Sequence, residues 1–87
     1  MDYVEAAKWY RAAAAQGLEE AQFMLGLMYR DGDGVAQNYV LGHMWMNLAG
    51  TRGYQDAQQE RDKLARYMTP DQIAEAQRLA REWKPTK

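Results

Sequence analysis

Apolar residues recur at intervals of three and four along most of the chain, the spacing of helices that pack through one face. The first stripe is Tyr3, Ala6, Trp9, Tyr10 and Ala13. A later stripe is Leu41, Met44, Trp45, Leu48 and Ala49. Alanine, leucine, methionine, glutamine, glutamate and arginine are frequent, and all of them favour helices. The pattern predicts five helices, over residues 2–16, 19–30, 38–51, about 54–67 and 69–84.

Polar residues at the predicted starts fit helix capping. Asp2 and Asn38 precede the first and third helices as N-caps. Thr69, Pro70 and Gln72 form a capping-box sequence in front of the last helix. The apolar stripe after that box ends at Pro85, and its opposite face is polar.

Glycines fall into two groups. One group is expected to end helices: Gly17, Gly32, Gly34, Gly50 and Gly53. The other group, Gly26 and Gly42, lies inside helical patterns, where glycine costs about 1 kcal/mol relative to alanine. We interpret these two as sites where helices approach each other closely.

The chain contains an internal repeat of 36 residues. Residues 2–22 align with 38–58 and share seven of 21 positions, including Trp9 with Trp45 and Gly17 with Gly53. A helix pair of this length cannot bury its apolar faces alone and is expected to stack into a solenoid. Trp9 and Trp45 should then lie in equivalent surroundings; we expect unlike surroundings, or any β-sheet, to overturn both the solenoid and an adaptor function.

One full unit of the repeat resembles the Sel-one-like repeat, a relative of the tetratricopeptide repeat that is widespread in bacterial proteins. The residues that carry the resemblance are Ala21, Leu25, Gly26, Tyr29, Gly32, Gly34, Val35, Trp45, Ala49 and Gly53. The resemblance implies an all-α fold, an α/α solenoid of antiparallel helix pairs. Gly42 and His43 replace the lysine and alanine common before the tryptophan, and residues 61–67 lack the signature.

These features divide the chain into two parts. Residues 1–68 are expected to form the repeat region, with a half repeat at 2–18, a full repeat at 19–53 and a degenerate half repeat at 54–68. Residues 69–87 are expected to form a C-terminal capping helix and tail, because a solenoid needs a polar-backed helix at its end. Because the repeat starts midway, we expect the chain to be the C-terminal part of a longer array.

Composition narrows the classes of function. The chain has 87 residues, no cysteine and a net charge of −1, with no basic patch of the kind that nucleic acid requires. Its aromatic residues are interpreted as interhelix packing rather than as base-stacking groups. No membrane span or signal peptide is evident, so the compartment, cytoplasmic or periplasmic of a bacterium, stays open.

Two motifs contain residue types that bind metal ions in other proteins. The segment DGDGV, residues 31–35, begins like a calcium-binding loop of the EF-hand type. Such a loop needs an oxygen ligand at its fifth position, glycine at its sixth and glutamate at its twelfth, where this chain has Val35, Ala36 and Gly42. It is therefore predicted to be a turn with positive φ at Gly32 and Gly34. His43 lies beside Met44 and Met46, but these positions do not share one helix face, so His43 is expected to face solvent or a groove. No metal and no cofactor is predicted.

Candidate catalytic chemistry is sparse. The sequence has no serine, no cysteine and one histidine, so a Ser-His-Asp arrangement cannot form. The resemblance implies a distant alternative, since some relatives have been proposed to act on cell-wall β-lactams, but no nucleophile and base are evident. We predict that the chain is not an enzyme.

The predicted function is therefore binding of a protein or peptide partner, as an adaptor. By the resemblance, helices 19–30 and 54–67 line a concave surface, and their residues outside the core are the candidate contacts: Gln22, Phe23, Arg30, Gln58, Gln59 and Arg66. Phe23 is the leading candidate for an exposed anchor. The alternative is a structural or self-associating segment that forms a homodimer through residues 2–16.

Overall fold

The computed structural model describes residues 2–86, and this part of the chain contains five helices and no strand. The helices are α1 (Tyr3–Ala15), α2 (Glu19–Asp31), α3 (Tyr39–Thr51), α4 (Gln55–Ala65) and α5 (Pro70–Glu82). All five were predicted, and the all-α class is confirmed. The fourth helix ends two residues earlier than expected, because the chain turns after Ala65 and buries Met68 in the core.

The predicted N-caps are confirmed. The Asp2 carboxylate accepts a hydrogen bond from the Val4 amide at 2.9 Å, and the Asn38 side chain accepts one from Leu41 at 3.0 Å. Thr69 and Gln72 form both bonds of the capping box that starts α5. These local bonds fix where three of the helices begin.

The turn between α2 and α3 has the predicted conformation. Gly32 and Gly34 have φ of 76° and 73°, values that favour glycine. Val35 packs against Ala6, Ala7 and Met28, so this turn ties the α2–α3 pair to α1. Gly50 does not end a helix as expected; it lies inside α3.

Helices α2 and α3 cross where two glycines meet. A Cβ on Gly26 would lie 3.0 Å from the Gly42 carbonyl oxygen and 2.8 Å from Cγ of Met46. A Cβ on Gly42 would lie 3.1 Å from the Gly26 carbonyl oxygen. The two backbones are therefore close enough that neither position has room for a side chain, as predicted for both glycines.

Consecutive helix pairs are stacked in the same direction. Phe23 of α2 packs on Tyr54, which precedes α4, and Arg30 near the end of α2 pairs with Glu60 farther along α4. The two contacts follow the same order on both helices, so α2 and α4 run side by side in parallel. Antiparallel pairs arranged in this way are an α/α solenoid.

Helix α5 covers the last helix pair. Ile73 and Ala76 pack into the core cluster that contains Met46 and Leu64. Beyond the helix, the Trp83 indole meets the Trp45 indole edge-on, with ring centroids 6.0 Å apart. The apolar stripe of this helix is thus turned inward, and its polar side faces outward.

Trp9 and Trp45 occupy equivalent positions in the repeat but unlike surroundings, so the expectation of matching surroundings is wrong. Trp45 packs against the cluster of Ala14, Ala21 and Leu25 and against Trp83, whereas Trp9 is 78% exposed. The reason is that α3 has a neighbour on each side, whereas α1 packs on α2 and leaves its other flank open. The evidence for the solenoid is the stacking of the helix pairs, seen in the Phe23–Tyr54 and Arg30–Glu60 contacts, and not the surroundings of the two tryptophans.

No helix within residues 2–86 has the length and apolar character that crossing a membrane would need.

Candidate partner-binding surface

Helices α2 and α4 jointly form a surface held together at two points. At one end the rings of Phe23 and Tyr54 are 5.1 Å apart at an interplanar angle of 40°. At the other end Nη1 of Arg30 donates to Oε2 of Glu60 at 2.9 Å. Both contacts join residues that sequence analysis could not place together, because Tyr54 and Glu60 belong to the degenerate repeat.

A groove of about 460 Å³ opens beside the ion pair. We call it the α2–α4 groove, and its lining residues are Arg30, Asp31, Gln37, Tyr39, Glu60, Lys63, Leu64 and Tyr67. Tyr67 is 76% exposed, which makes it one of the most exposed aromatic side chains of the described chain. The lining combines two basic and two acidic groups with an apolar and aromatic floor.

Arg30 is the electrostatic centre of this groove. Its guanidinium donates to both carboxylate oxygens of Asp31, at 2.8 and 3.0 Å, as well as to Glu60. The hydrogen bond from Arg30 lowers the pKa of Asp31 below its usual value. The Arg30 guanidinium and the Asp31 carboxylate thus stay charged near neutral pH, and together with the ion pair to Glu60 they form a polar wall.

Two of the predicted contact residues do not belong to this surface. Gln22 is fully buried, and its Nε2 donates to the Ala14 carbonyl of α1 at 3.2 Å. Gln58 is exposed, but its Nε2 donates to the Gly50 carbonyl of α3 at 2.6 Å. The prediction that Gln22 lies outside the core is therefore wrong, and Gln58 lies along the seam with α3.

The reason is a contact that recurs with the repeat. Gln22 and Gln58 are 36 residues apart, as are their acceptors Ala14 and Gly50. Each glutamine ties the first helix of one pair to the helix before it. Glutamine at both positions of the repeat is therefore explained by a structural role, an interhelix hydrogen bond.

The other predicted contacts lie on α2 or α4. Phe23 is half-buried against Tyr54 rather than a free anchor, so that part of the prediction is wrong. Arg30 is half-buried in the ion pair with Glu60. Gln59 and Arg66 are exposed, Gln59 within α4 and Arg66 at its end.

His43 does not face solvent or a groove. Its side chain is 3% exposed, and its Nδ1 has no hydrogen-bond partner among the described residues. Burial lowers the pKa of His43, the positive charge of Arg61 lowers it further, and Asp62 acts in the opposite direction. Over residues 2–86, no three acidic, histidine or cysteine side chains are grouped closely enough to hold a metal ion.

Sequence analysis missed Tyr67 as a surface group, whereas Tyr39, which also lines the groove, packs against the core cluster of Met46 and Leu64 as predicted. Tyr67 was assigned to interhelix packing, yet it follows the end of α4 and points outward. The early end of α4 was not visible in the sequence, and it decides the exposure of Tyr67.

Stacked antiparallel helix pairs with a covering last helix define a helical-repeat protein of the solenoid class. The profile of the Sel1 repeat family matches residues 2–18 and 19–54, more than half of the chain, and the chain belongs to this family. The first match coincides with the predicted half repeat, and the second extends one residue beyond the predicted full repeat. No curated protein sequence matches the chain. Sel1 repeats are generally protein–protein interaction modules and typically non-catalytic.

The signature residues of the resemblance have structural roles. Ala21, Leu25, Gly26 and Ala49 are buried, and Gly32, Gly34 and Gly53 have positive φ. Trp45 and Val35 pack against the core clusters. These residues therefore shape the helix pairs and the turn between them.

Proposed function

We propose that this chain is a non-catalytic adaptor that binds an extended segment of a partner protein in the α2–α4 groove. The observation that carries the proposal is Tyr67, a largely exposed aromatic ring at the edge of a groove walled by the Arg30–Glu60 ion pair. Tyrosine and arginine are among the residue types enriched in the few positions that dominate binding energy at protein interfaces.

The lining favours a segment with both apolar and charged side chains. Tyr39 and Tyr67 offer aromatic ring surface, while Lys63, which pairs with Glu60, and Asp31, which pairs with Arg30, place charges of both signs along the groove. Phe23, Gln59 and Arg66 are proposed as further contacts, since Gln59 and Arg66 are exposed on or at the end of α4 and Phe23 is half-buried on α2. A family of interaction modules is consistent with such a site.

Peptides selected from a random display library on the immobilised chain would test the proposal. Tyr67→Ala is expected to weaken the selected peptides at least about tenfold, since loss of a central aromatic contact costs 1–2 kcal/mol or more. Lys63→Ala and Phe23→Ala are expected to weaken them less. Arg81→Ala, on the exposed side of α5, is the matched control and should have no effect.

Two outcomes would reject the adaptor role of this groove. One is a set of selected peptides whose binding does not respond to Tyr67→Ala. The other is a failure to select any peptide from the library.

A further inference from the structure

The N-terminal eighteen residues carry a second apolar surface, separate from the α2–α4 groove. Tyr3, Trp9 and Leu18 are 60%, 78% and 54% exposed. Trp9 lines a hollow of about 490 Å³ together with Glu5, Ala6 and Tyr10, and Tyr3 lines one of about 150 Å³ together with Ala6, Tyr10, Met24 and Met28. We call this surface the α1–α2 groove.

The 36-residue repeat shows what kind of element this groove accepts. Shifted by one repeat, Ala6 and Tyr10 correspond to Gly42 and Met46, on which α2 lies through Gly26. The floor of the α1–α2 groove is therefore the counterpart of the floor that α2 covers in the following repeat.

The ends of the groove correspond as well. Leu18 is the counterpart of Tyr54, which Phe23 of α2 covers. Met24 is the counterpart of Glu60, which Arg30 of α2 contacts. The helix that fits the groove thus presents a large residue, a small residue three positions on, and a large residue four positions after that, as α2 does with Phe23, Gly26 and Arg30.

Helix α1 itself has this sequence of sizes. Tyr3, Ala6 and Tyr10 have the same spacing as Phe23, Gly26 and Arg30. Tyr3 is 60% exposed, and Ala6 and Tyr10, which are buried and half-buried against α2, both line the two hollows. At Leu18 and Met24 the groove offers apolar groups, which suit the two tyrosine rings. Helix α1 therefore both lines the α1–α2 groove and has the pattern of side-chain sizes that fits into it.

We propose that two copies of the chain form a symmetric dimer in which α1 of each copy lies in the α1–α2 groove of the other. Tyr3 then packs on the partner's Leu18, Ala6 faces the partner's Tyr10, and Tyr10 reaches the partner's Met24. Each contact occurs twice, as a two-fold interface requires. The paired helices run antiparallel, as α2 and α3 do within one copy.

Sedimentation of the full chain over about 1–200 µM tests the dimer. Tyr3→Glu and Leu18→Glu are each expected to raise the dimer dissociation constant at least about 100-fold, because symmetry places two unpaired carboxylates in the apolar contact. Val4→Glu is the matched control, since Val4 adjoins Tyr3, is 51% exposed and lies outside both hollows. Far-UV circular dichroism verifies that all variants stay folded.

Cross-linking gives an independent result. The chain has no cysteine, so the double variant Tyr3→Cys with Leu18→Cys contains only the two introduced thiols. Within one copy these positions lie at opposite ends of α1, far beyond disulfide range, whereas between copies they meet. Oxidation should yield a covalent dimer, and Val4→Cys with Leu18→Cys should not.

A chain that sediments as a monomer at every concentration would overturn the proposal. So would a dimer that survives Tyr3→Glu, which would place the contact elsewhere, for example at Tyr67. Peptide binding in the α2–α4 groove should be unaffected by Tyr3→Glu, so failure of the dimer and failure of the adaptor role are distinguishable.

Discussion

Gln22 and Gln58 make the same hydrogen bond one repeat apart, each donating its side-chain amide to the carbonyl eight residues earlier. The two bonds differ in their surroundings, since Gln22 is buried and Gln58 is exposed. The same hydrogen bond is therefore buried in one repeat and part-buried in the next, so comparing the two measures the effect of burial on its contribution to stability.

Replacing each glutamine by glutamate exploits this difference. Gln22→Glu is expected to lower the free energy of unfolding by about 3 kcal/mol or more at pH 7, because it buries an unpaired carboxylate beside a carbonyl oxygen. Gln58→Glu is expected to cost less than about 1 kcal/mol, because water solvates the charge. Urea denaturation of the two variants measures both values.

The pH dependence separates charge from shape. Burial raises the pKa of the carboxyl introduced at position 22, so the loss should shrink as pH falls and the group becomes neutral. Equal costs for the two variants, or a loss at position 22 that does not depend on pH, would contradict the role assigned to burial.

Trp83 is expected to hold the covering helix in place. Trp83→Ala removes the edge-on contact with Trp45, and we expect a loss of about 2 kcal/mol, below the 3–5 kcal/mol of a fully buried aromatic residue because Trp83 is half-buried. Thermal or urea denaturation measures the loss. Gln77→Ala, exposed on the same helix, should be close to neutral.

Gly26 tests the close crossing of α2 and α3. Gly26→Ala adds about 1 kcal/mol of helix propensity, but its methyl group meets the Gly42 backbone and Met46, and overpacking costs about 1–3 kcal/mol. We expect a net destabilisation of about 1 kcal/mol in denaturation experiments.

Gly50→Ala is the comparison within α3. Its added Cβ would lie 2.8 Å from Cγ of Gln58, and the Gln58 side chain can rotate away only by giving up its hydrogen bond to the Gly50 carbonyl. Loss of that bond offsets about 1 kcal/mol of helix propensity, so this variant should be close to neutral. If both alanine variants had the same stability, backbone contact at Gly26 would not limit the crossing.

His43 should make stability fall in mild acid. Its pKa is lowered in the folded state, so below about pH 6.5 the unfolded chain binds more protons than the folded chain, and the free energy of unfolding declines until pH passes the folded pKa. Above pH 7 this residue should contribute no pH dependence. The steepest loss from one proton is about 1.4 kcal/mol per pH unit.

His43→Met keeps a buried side chain of similar length and removes the titration. Urea denaturation between pH 5 and 7.5 should show a weaker pH dependence for this variant than for the original chain. An unchanged slope would assign the pH dependence to other groups.

The sequence by itself determined the features that depend on neighbours along the chain. The cap bonds of Asp2, Asn38 and Thr69 join residues two or three positions apart, and positive φ at Gly32 is a property of one residue, so each could be inferred from residue type and spacing. The pairing of helices could likewise be predicted from the 36-residue repeat, because the apolar positions within each unit recur with the period of a helix.

Only the tertiary structure decided which side chains are covered. Trp9 and Trp45 have the same local sequence pattern, yet one is open and the other meets Trp83, a residue 38 positions away. Gln22 and His43 are polar residues that a pattern places outside the core, but neighbouring helices bury them. Burial depends on how many helices surround each face, and that number is set by the stacking of the pairs rather than by any segment alone.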